Sequence, residues 1–483
     1  MIPRRSNVKP QVPRILMVTS EATPFASTGG LGDVLESLPK ALAADHEIAV
    51  LLPLYQRVAL PNPLVIYKGL PVTVGAAQYH ANILEQQEAG VRYLFLEIPA
   101  LYDRPEIYDE YPDNHMRFAA LCQAALQVAH YVFTPDIIHC HDWPAALLPL
   151  LLGGVYAGHP AYTGIKTILT IHNLAHQGIF PASALAEIGL PPRFAAGLLG
   201  FHGHINLLKG AILASDRITT VSPTYAREIQ TPDYGFGLDS ELRIREQDLT
   251  GILNGADYGN WDPEADPNIA EPFSRDDLHG KRICKEQLLA ETELPRERAE
   301  RPVIAIVSRL AEQKGLDLLQ DVSGEVAAGD FSLVVMGNGE GKLQDFFREY
   351  AASYPDRVHT HIGYDNALAH RIIAGSDMLL MPSRYEPCGL TQLYAMRYGT
   401  IPLVRATGGL TDTVDAETGF RFWSDTPQAL LECIRTALRT YTGTRWAEMM
   451  RAGMEREFSW AESARRYAGL YRAALHDGPG NGV

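Results

Sequence analysis

Arg309 and Lys314 stand in Ser308-Arg-Leu-Ala-Glu-Gln-Lys-Gly315, between the strand-like run Val303–Val307 and a helix expected from Leu316. Two cations at a strand end can clamp a pyrophosphate from two sides. As plain surface charges they would oppose the dipole at a helix start. A second cluster, Pro382-Ser-Arg-Tyr-Glu386-Pro-Cys388-Gly389-Leu390-Thr391, follows the apolar run Met378–Met381. Its Pro, Cys and Gly leave a tight turn with free N–H groups, and Glu386 can accept hydrogen bonds from sugar hydroxyls; the plain alternative is a solvated glutamate. Two histidine clusters, His139-Cys-His141-Asp142-Trp143 and Ile171-His172-Asn-Leu-Ala-His176, close strand-like runs in the first half. Histidine is the commonest zinc ligand. Spacings of one to four residues across a strand end, however, do not present two imidazoles to one ion as a helical H-E-x-x-H does. An Asp and a His meeting a bound sugar is the preferred reading.

The string Thr-Gly-Gly-Leu-x-Asp occurs twice, at Thr28-Gly29-Gly30-Leu31-Gly32-Asp33 and at Thr407-Gly408-Gly409-Leu410-Thr411-Asp412. Each copy follows a β-branched run and opens a helical one, so each offers a helix N-terminus to an anion. A dinucleotide site needs G-x-G-x-x-G and an acid closing the second strand; here that strand ends Leu51-Leu-Pro-Leu-Tyr-Gln56. No G-x-x-x-x-G-K-[ST] loop occurs either. Both common nucleotide loops are excluded.

The elements that must hold these residues alternate along the whole chain. Strands are expected at 15–19, 47–52, 91–97, 136–140, 167–171, 217–221 and 251–253, then at 303–307, 332–336, 358–362, 378–381, 401–404 and 419–422. Helical patterns such as 116–133 lie between them, and 460–476 reads as a last helix. Repeated strand–helix units imply parallel sheets with helices on both faces, whose ligands bind at the carboxyl ends of the strands. A length of 483 residues implies two domains. The segment 254–274, with three prolines and no periodicity, is the expected linker. The net charge of −15 supplies no basic excess to displace counterions, which argues against a nucleic-acid partner. Five scattered cysteines read as reduced thiols of a cytoplasmic protein. The first residues lack an apolar segment of signal-peptide length and read as a disordered tail. The most apolar stretch, 144–157, is too short and too broken by Pro149 and Gly153-Gly154 to span a membrane.

Taken together, the strings TSEATPFASTGGLGDV, LYDRPEIYDEYPDNHMRF, HCHDWPAAL, TIHNLAHQG, GHINLLKG, TTVSPTYAREI, GILNGADYGNWDP, VSRLAEQKGLDLL, HIGYDNALAHRIIAGSDMLLMPSRYEPCGLTQLYAMRYGTIPLVRATGGLTDTV and FSWAESARRY resemble the bacterial glycogen synthases and plant starch synthases, glycosyltransferase family 5. They run in family order from residue 19 to about 467. The resemblance implies an α/β GT-B fold: two doubly wound Rossmann-like domains facing an interdomain cleft. Residues 1–257 would form the acceptor-side domain and 258–458 the nucleotide-sugar domain, with 459–483 a helix crossing back to the first. The implied reaction moves glucose, with retention, from ADP-glucose to the non-reducing 4-hydroxyl of an α-1,4-glucan such as glycogen, without metal or other cofactor. By motif match Arg309 and Lys314 hold the diphosphate and Tyr364 lies against the base. Glu386 and the backbone of Cys388, Gly389 and Leu390 hold the glucose hydroxyls. Thr391, Thr407 and Gly408 sit near the phosphates, Asp142 binds the sugar, and His172 lies on its β face. Ser27, Gly29, Gly30 and Asn254 complete the substrate-binding set.

Retaining hydrolases use a nucleophilic carboxylate near a second acid, and no strong candidate for that pair stands out. The expectation is front-face attack, with the leaving phosphate taking the acceptor proton and the His172 carbonyl facing the positive anomeric carbon. Two departures from the family pattern stand out. Members commonly read Lys-Thr-Gly-Gly-Leu at the first turn, where this chain has Ser27. Either donor preference changes, or a cation such as Lys209 or Arg405 compensates, or activity falls. The E-x₇-E pattern of related GT-B transferases meets Tyr394, as is usual for this family. The alternatives are a GT-B glucosyltransferase using UDP-glucose or another acceptor, and a weakened glucan-binding paralogue.

Overall fold

The computed structural model describes residues 12–476, apart from the side chain of Ala196; the expected N-terminal tail lies outside the described residues. The chain forms two compact units. The first takes in everything up to Val221, Ala226–Ile252 and the helix Trp460–His476. The second is Ser222–Tyr225 with Leu253–Ser459.

The first unit contains β1 (Arg14–Val18), β2 (Glu47–Pro53), β3 (Leu64–Val74), β4 (Ala77–Glu88), β5 (Val91–Glu97), β6 (Ile137–His141), β7 (Lys166–Ile171), β8 (Ile179–Pro181), β9 (Gly200–Phe201), β10 (His204–Asn206), β11 (Arg217–Thr220) and β12 (Leu249–Gly251). Nine of these make one sheet, ordered β12-β11-β7-β6-β1-β2-β5-β4-β3, and β8-β10-β9 form a small antiparallel one. The central strands are parallel, and β6 (IIHCH) and β7 (KTILTI) are buried at every position, as strands covered on both faces must be. The β3–β4–β5 edge is antiparallel, so the expectation of purely parallel sheets fails there. β3 and β4 were not anticipated at all: their exposed positions are interspersed with buried ones, and no clean apolar alternation results.

The second unit contains β13 (Val303–Val307), β14 (Ser332–Gly337), β15 (Val358–Ile362), β16 (Met378–Met381), β17 (Ile401–Arg405) and β18 (Phe420–Phe422), ordered β15-β14-β13-β16-β17-β18. All neighbours are parallel. β13 and β14 are wholly buried. Their apolar side chains meet two hydrophobic clusters, one on each face of the sheet.

The segment 254–274 is not a free linker. Trp261 stacks on His370 (3.6 Å between centroids) and on Tyr394 (4.4 Å). Buried Asp266 accepts hydrogen bonds from His370 (2.7 Å) and from the Tyr398 hydroxyl (2.6 Å). These contacts fasten the segment to the second unit, so the chain divides at 252/253 rather than at 257/258. They also account for Tyr394, which is a stacking residue. The last helix buries Trp460, Ala464, Tyr467 and Tyr471 in the first unit's core, beside Ile15, Val34 and Leu38, the i, i+3/i+4 pattern of a one-sided helix.

Candidate active site

β1, β6 and β7 are neighbours, so the loops at their carboxyl ends share one edge of the first unit. The turn after β1 carries Ser27, Gly29 and Gly30, all exposed, and leads into the helix Gly30–Leu42. Beneath it lies Glu21, which is 3% exposed. Its carboxylate accepts hydrogen bonds from the Thr28 N–H (2.5 Å), the Thr28 hydroxyl (2.9 Å) and the Tyr108 hydroxyl (2.5 Å). Burial raises the Glu21 pKa, and these donors oppose that shift. Glu21 and Tyr108 escaped the sequence reading; an acid three residues beyond a buried strand and just ahead of a glycine turn was the available signal.

Asp142 follows β6 with φ 54°, a left-handed conformation that costs a non-glycine residue free energy and clusters at functional sites. The bend turns its carboxylate toward β7, where it accepts the His172 N–H at 2.7 Å. Burial pushes the Asp142 carboxyl up to about 7; the amides of His172 and Asn173 act against this, and Glu21 adds to it. His172 is buried and its imidazole is pushed down to about 3, so it is neutral. Its Nε2 meets His141 Nδ1 at 3.0 Å. His139 continues the stack behind them, 4.1 Å from His141 between centroids, with Nδ1 on the Tyr471 hydroxyl (2.9 Å) and Nε2 on the Thr170 hydroxyl (2.6 Å). The histidines thus serve one another and the core. Among the described residues no three His, Cys, Asp or Glu side chains gather to hold a metal ion.

In the second unit the adjacent ends of β13, β16 and β17 bring together most of the remaining set. Lys314 closes a 3₁₀ turn, Glu312–Lys314, and its Nζ donates to Glu386 at 2.6 Å. Glu386 is 6% exposed and also accepts the Ser383 hydroxyl at 2.9 Å. The turn is pressed against this loop: a Cβ on Gly315 (φ 63°) would overlap the Pro382 carbonyl. The helix expected from Leu316 is a five-residue segment, Asp317–Asp321. Arg309 is exposed and donates to the Gln313 side chain at 3.1 Å. Gln313 in turn donates to the Tyr385 carbonyl at 3.2 Å.

The Glu386 loop and the second glycine turn lie back to back. The Gly409 N–H donates to the Glu386 carbonyl at 3.0 Å. A Cβ on Gly408 (φ 44°) would overlap that carbonyl, and one on Gly409 would overlap the Cys388 carbonyl. Gln392 donates to the carbonyls of Cys388 (3.2 Å) and Gly389 (2.9 Å), which fixes the turn from Cys388 through Leu390 to Thr391. Burial drives the Cys388 thiol up to about 12, so it stays protonated; the Asn254 amide beside it acts the other way. The Asn254 side-chain oxygen is buried and accepts no hydrogen bond from the described residues, so it can serve a ligand hydroxyl. Asp412 accepts the Thr224 N–H (2.7 Å) and hydroxyl (2.6 Å), so the acid of the repeated string is an anchor here. The helix after this turn, Gly408–Thr413, has only six residues. So short a helix adds little dipole at its N-terminus.

Tyr364 stands apart. It follows β15, which is separated from β13 by β14. Its side chain is 71% exposed and its hydroxyl meets Asn366 at 3.1 Å. Neither cation considered as a substitute for the missing lysine at Ser27 is idle. Lys209 donates to the Gly200 carbonyl at 2.7 Å and pairs with Glu241 at 3.4 Å. Arg405 donates to the carbonyls of Ser383 (3.3 Å) and Arg384 (2.5 Å).

Known proteins share both halves. The starch synthase catalytic domain matches residues 14–244, and the glycosyl transferases group 1 domain matches 291–452. The catalytic domain of starch synthase IV from Arabidopsis thaliana, bound to ADP and acarbose, superposes with a TM-score of 0.87 at 31% identity, covering 96% of this chain and all of that one. A sucrose-phosphate synthase from Thermosynechococcus elongatus shares the fold (TM-score 0.61, 17% identity) over 95% of this chain and 98% of its own. The two doubly wound units and their strand-end loops are those of a GT-B glycosyltransferase. Glycogen synthases from Koribacter versatilis (strain Ellin345) and Anaeromyxobacter sp. (strain Fw109-5) are each 44% identical over 95% of this chain, and 98% and 99% of theirs. The chain belongs to the glycogen synthase and starch synthase family.

Proposed function

We propose that this enzyme transfers glucose from ADP-glucose, with retention of configuration, to the non-reducing 4-hydroxyl of an α-1,4-glucan such as glycogen. The observation that carries the reading is the Lys314–Glu386 pair seated against the second glycine turn. It provides a cation for phosphate and an acceptor for sugar hydroxyls in one place. As the glucosyl bond breaks, charge grows on the departing diphosphate, and Lys314 and Arg309 stabilise it without reorganising. This reading assigns no step to a metal. Tyr364, half a sheet away, receives the base.

In the first unit Asp142, poised near neutrality, can accept from or donate to a sugar hydroxyl, while the His172 carbonyl faces the positive anomeric carbon. The Glu21 carboxylate is engaged by Thr28 of the turn and by Tyr108, so it supports the turn rather than acting as a nucleophile. Attack therefore comes from the face the leaving group departs from, and the phosphate takes the acceptor proton. ADP as the leaving group draws support from the Arabidopsis neighbour, whose structure contains ADP and acarbose. Five buried, unpaired cysteines suit a reducing cytoplasm, and among the described residues no helix is long and apolar enough to cross a membrane.

Ser27 favours a second reading in which UDP-glucose is the donor, since the charge usual at that position is missing. Glucose incorporation into glycogen from ADP-glucose and from UDP-glucose, measured side by side, decides between them. Faster incorporation from ADP-glucose is expected. Preference for UDP-glucose would overturn the donor assignment, and no incorporation from either would overturn the reaction.

A further inference from the structure

Trp423 is 67% exposed, whereas Trp143, Trp261, Trp446 and Trp460 are buried or half-buried. It follows β18, the edge strand of the second unit's sheet. It lines a cavity of about 300 Å³ together with Gly419, Arg421, Thr436, Thr440 and Arg445, a size at the lower end of small-ligand pockets. An exposed indole held in a concavity is costly to leave in water and has no part in the reaction described above. Much of this lining lies away from the reacting loops: Gly419 precedes β18, and Thr436 and Thr440 are on the last turns of the helix Pro427–Thr440.

The polar groups around the indole are mixed. Thr436 and Thr440 donate their hydroxyl protons to carbonyls of their own helix (2.8 and 2.9 Å); the Thr436 oxygen also accepts from Arg439 (2.9 Å), which leaves it one lone pair as an acceptor. Arg421 and Arg445 each spend one terminal nitrogen on a backbone carbonyl, of Thr411 (3.4 Å) and Ala416 (3.1 Å), out of five N–H donors per guanidinium. The Arg421 guanidinium lies 5.8 Å from the Trp423 ring centroid. The carboxylates nearby are engaged: Glu432 by Arg439, and Asp415 and Glu417 by Arg456. A flat apolar face rimmed by separate donors and acceptors matches a pyranose ring, with its C–H face and its rim of hydroxyls that both donate and accept.

We propose that this groove along β18 is a second binding site for α-glucan, distinct from the site of transfer, which tethers the polymer to the enzyme. The proposal takes the α-glucan acceptor from the function proposed above. A tether adds no contact at the reacting end; it raises the effective concentration of chain ends there. Its signature is a loss of affinity for polymer with turnover on short acceptors intact.

The test uses the full-length enzyme in native gels containing glycogen, with no donor present, so retardation is read whether or not transfer occurs. Trp423→Ala is expected to lose retardation and Trp423→Phe to keep most of it, with melting temperatures unchanged. In assays, Trp423→Ala should keep its rate on maltotetraose within about twofold, while its KM for glycogen rises roughly tenfold. Retardation of Trp423→Ala equal to that of the parent would overturn the site. So would tryptophan fluorescence that saturates with glucose 1-phosphate but not with maltohexaose, which would make the two arginines an anion site. Absence of transfer from any donor would refute the proposed function and leave the gel result standing.

Discussion

The two Thr-Gly-Gly-Leu-x-Asp turns share five residues in six positions and differ in what surrounds them. At the first, a Cβ on Gly29 or Gly30 would meet nothing within 4 Å, and the turn is held from below by Glu21, whose carboxylate takes hydrogen bonds from Thr28 and Tyr108 and whose pKa is raised by burial. At the second, both glycines are pinned against the carbonyls of Glu386 and Cys388, and the surroundings are ionic: Lys314 with Glu386, and Arg309. The same string thus builds an open turn in one unit and a tightly packed turn among ionic partners in the other. A motif dictates the local turn; its partners decide what the turn is for.

The largest break in that comparison comes from the cation. On the proposed function, Lys314→Ala removes a stabiliser of departing charge and strands buried Glu386, so turnover should fall on the order of 10²–10³-fold. Steady-state kinetics giving near-parental turnover would end the diphosphate assignment. Next is the glycines themselves. Gly409→Ala forces a methyl into the Cys388 carbonyl and should cost about 1–3 kcal/mol, whereas Gly29→Ala should stay within about 0.5 kcal/mol. Equal losses in urea unfolding would show that the turns do not differ in tightness.

The charge contrast makes a pH prediction. His139 and His172 have folded pKa values near 3, and His141 lies well below 6.5, all through burial. Their contribution is fully present above about pH 6.5 and is lost as pH falls, because the unfolded chain then binds more protons. Asp142, raised from 3.8 to about 7, works in the opposite sense over nearly the same range. His141→Asn should therefore flatten the loss of stability between pH 6.5 and 4 by up to about 1.4 kcal/mol per pH unit. An unchanged slope in denaturant midpoints would mean that His141 is not held neutral. The smallest effect belongs to Ser27, which is exposed and donates to the Gly29 carbonyl at 3.3 Å. Ser27→Lys should lower the donor KM by about two- to fivefold, as expected for a partly exposed ion pair; identical KM values would show that the first turn needs no charge.

Much of this was readable in the sequence because parallel strands buried on both faces appear as unbroken apolar runs. β13, β15 and β16 match their expected limits residue for residue, and the strands bearing Asp142 and His172 fall within one residue. Catalytic candidates next to such runs inherit that legibility. What stayed hidden depends on partners distant in sequence. The β3–β4 edge is half exposed and lacks a clean period. The segment 254–274 looks like a linker until Trp261 finds His370 and Tyr394. Glu21 gains its meaning only from Tyr108, 87 residues away.

The hydrogen bond from the last helix to the strand bearing Asp142 joins residues 332 apart, Tyr471 to His139. During synthesis this separation sets an order of events. The body of the second unit, ending at Ser459, leaves the ribosome before the helix that completes the first. The earlier-made unit must therefore wait, with its core surface around Ile15 and Val34 uncovered, until the helix Trp460–His476 emerges. A chain stalled or clipped before Trp460 would display that surface to chaperones and proteases.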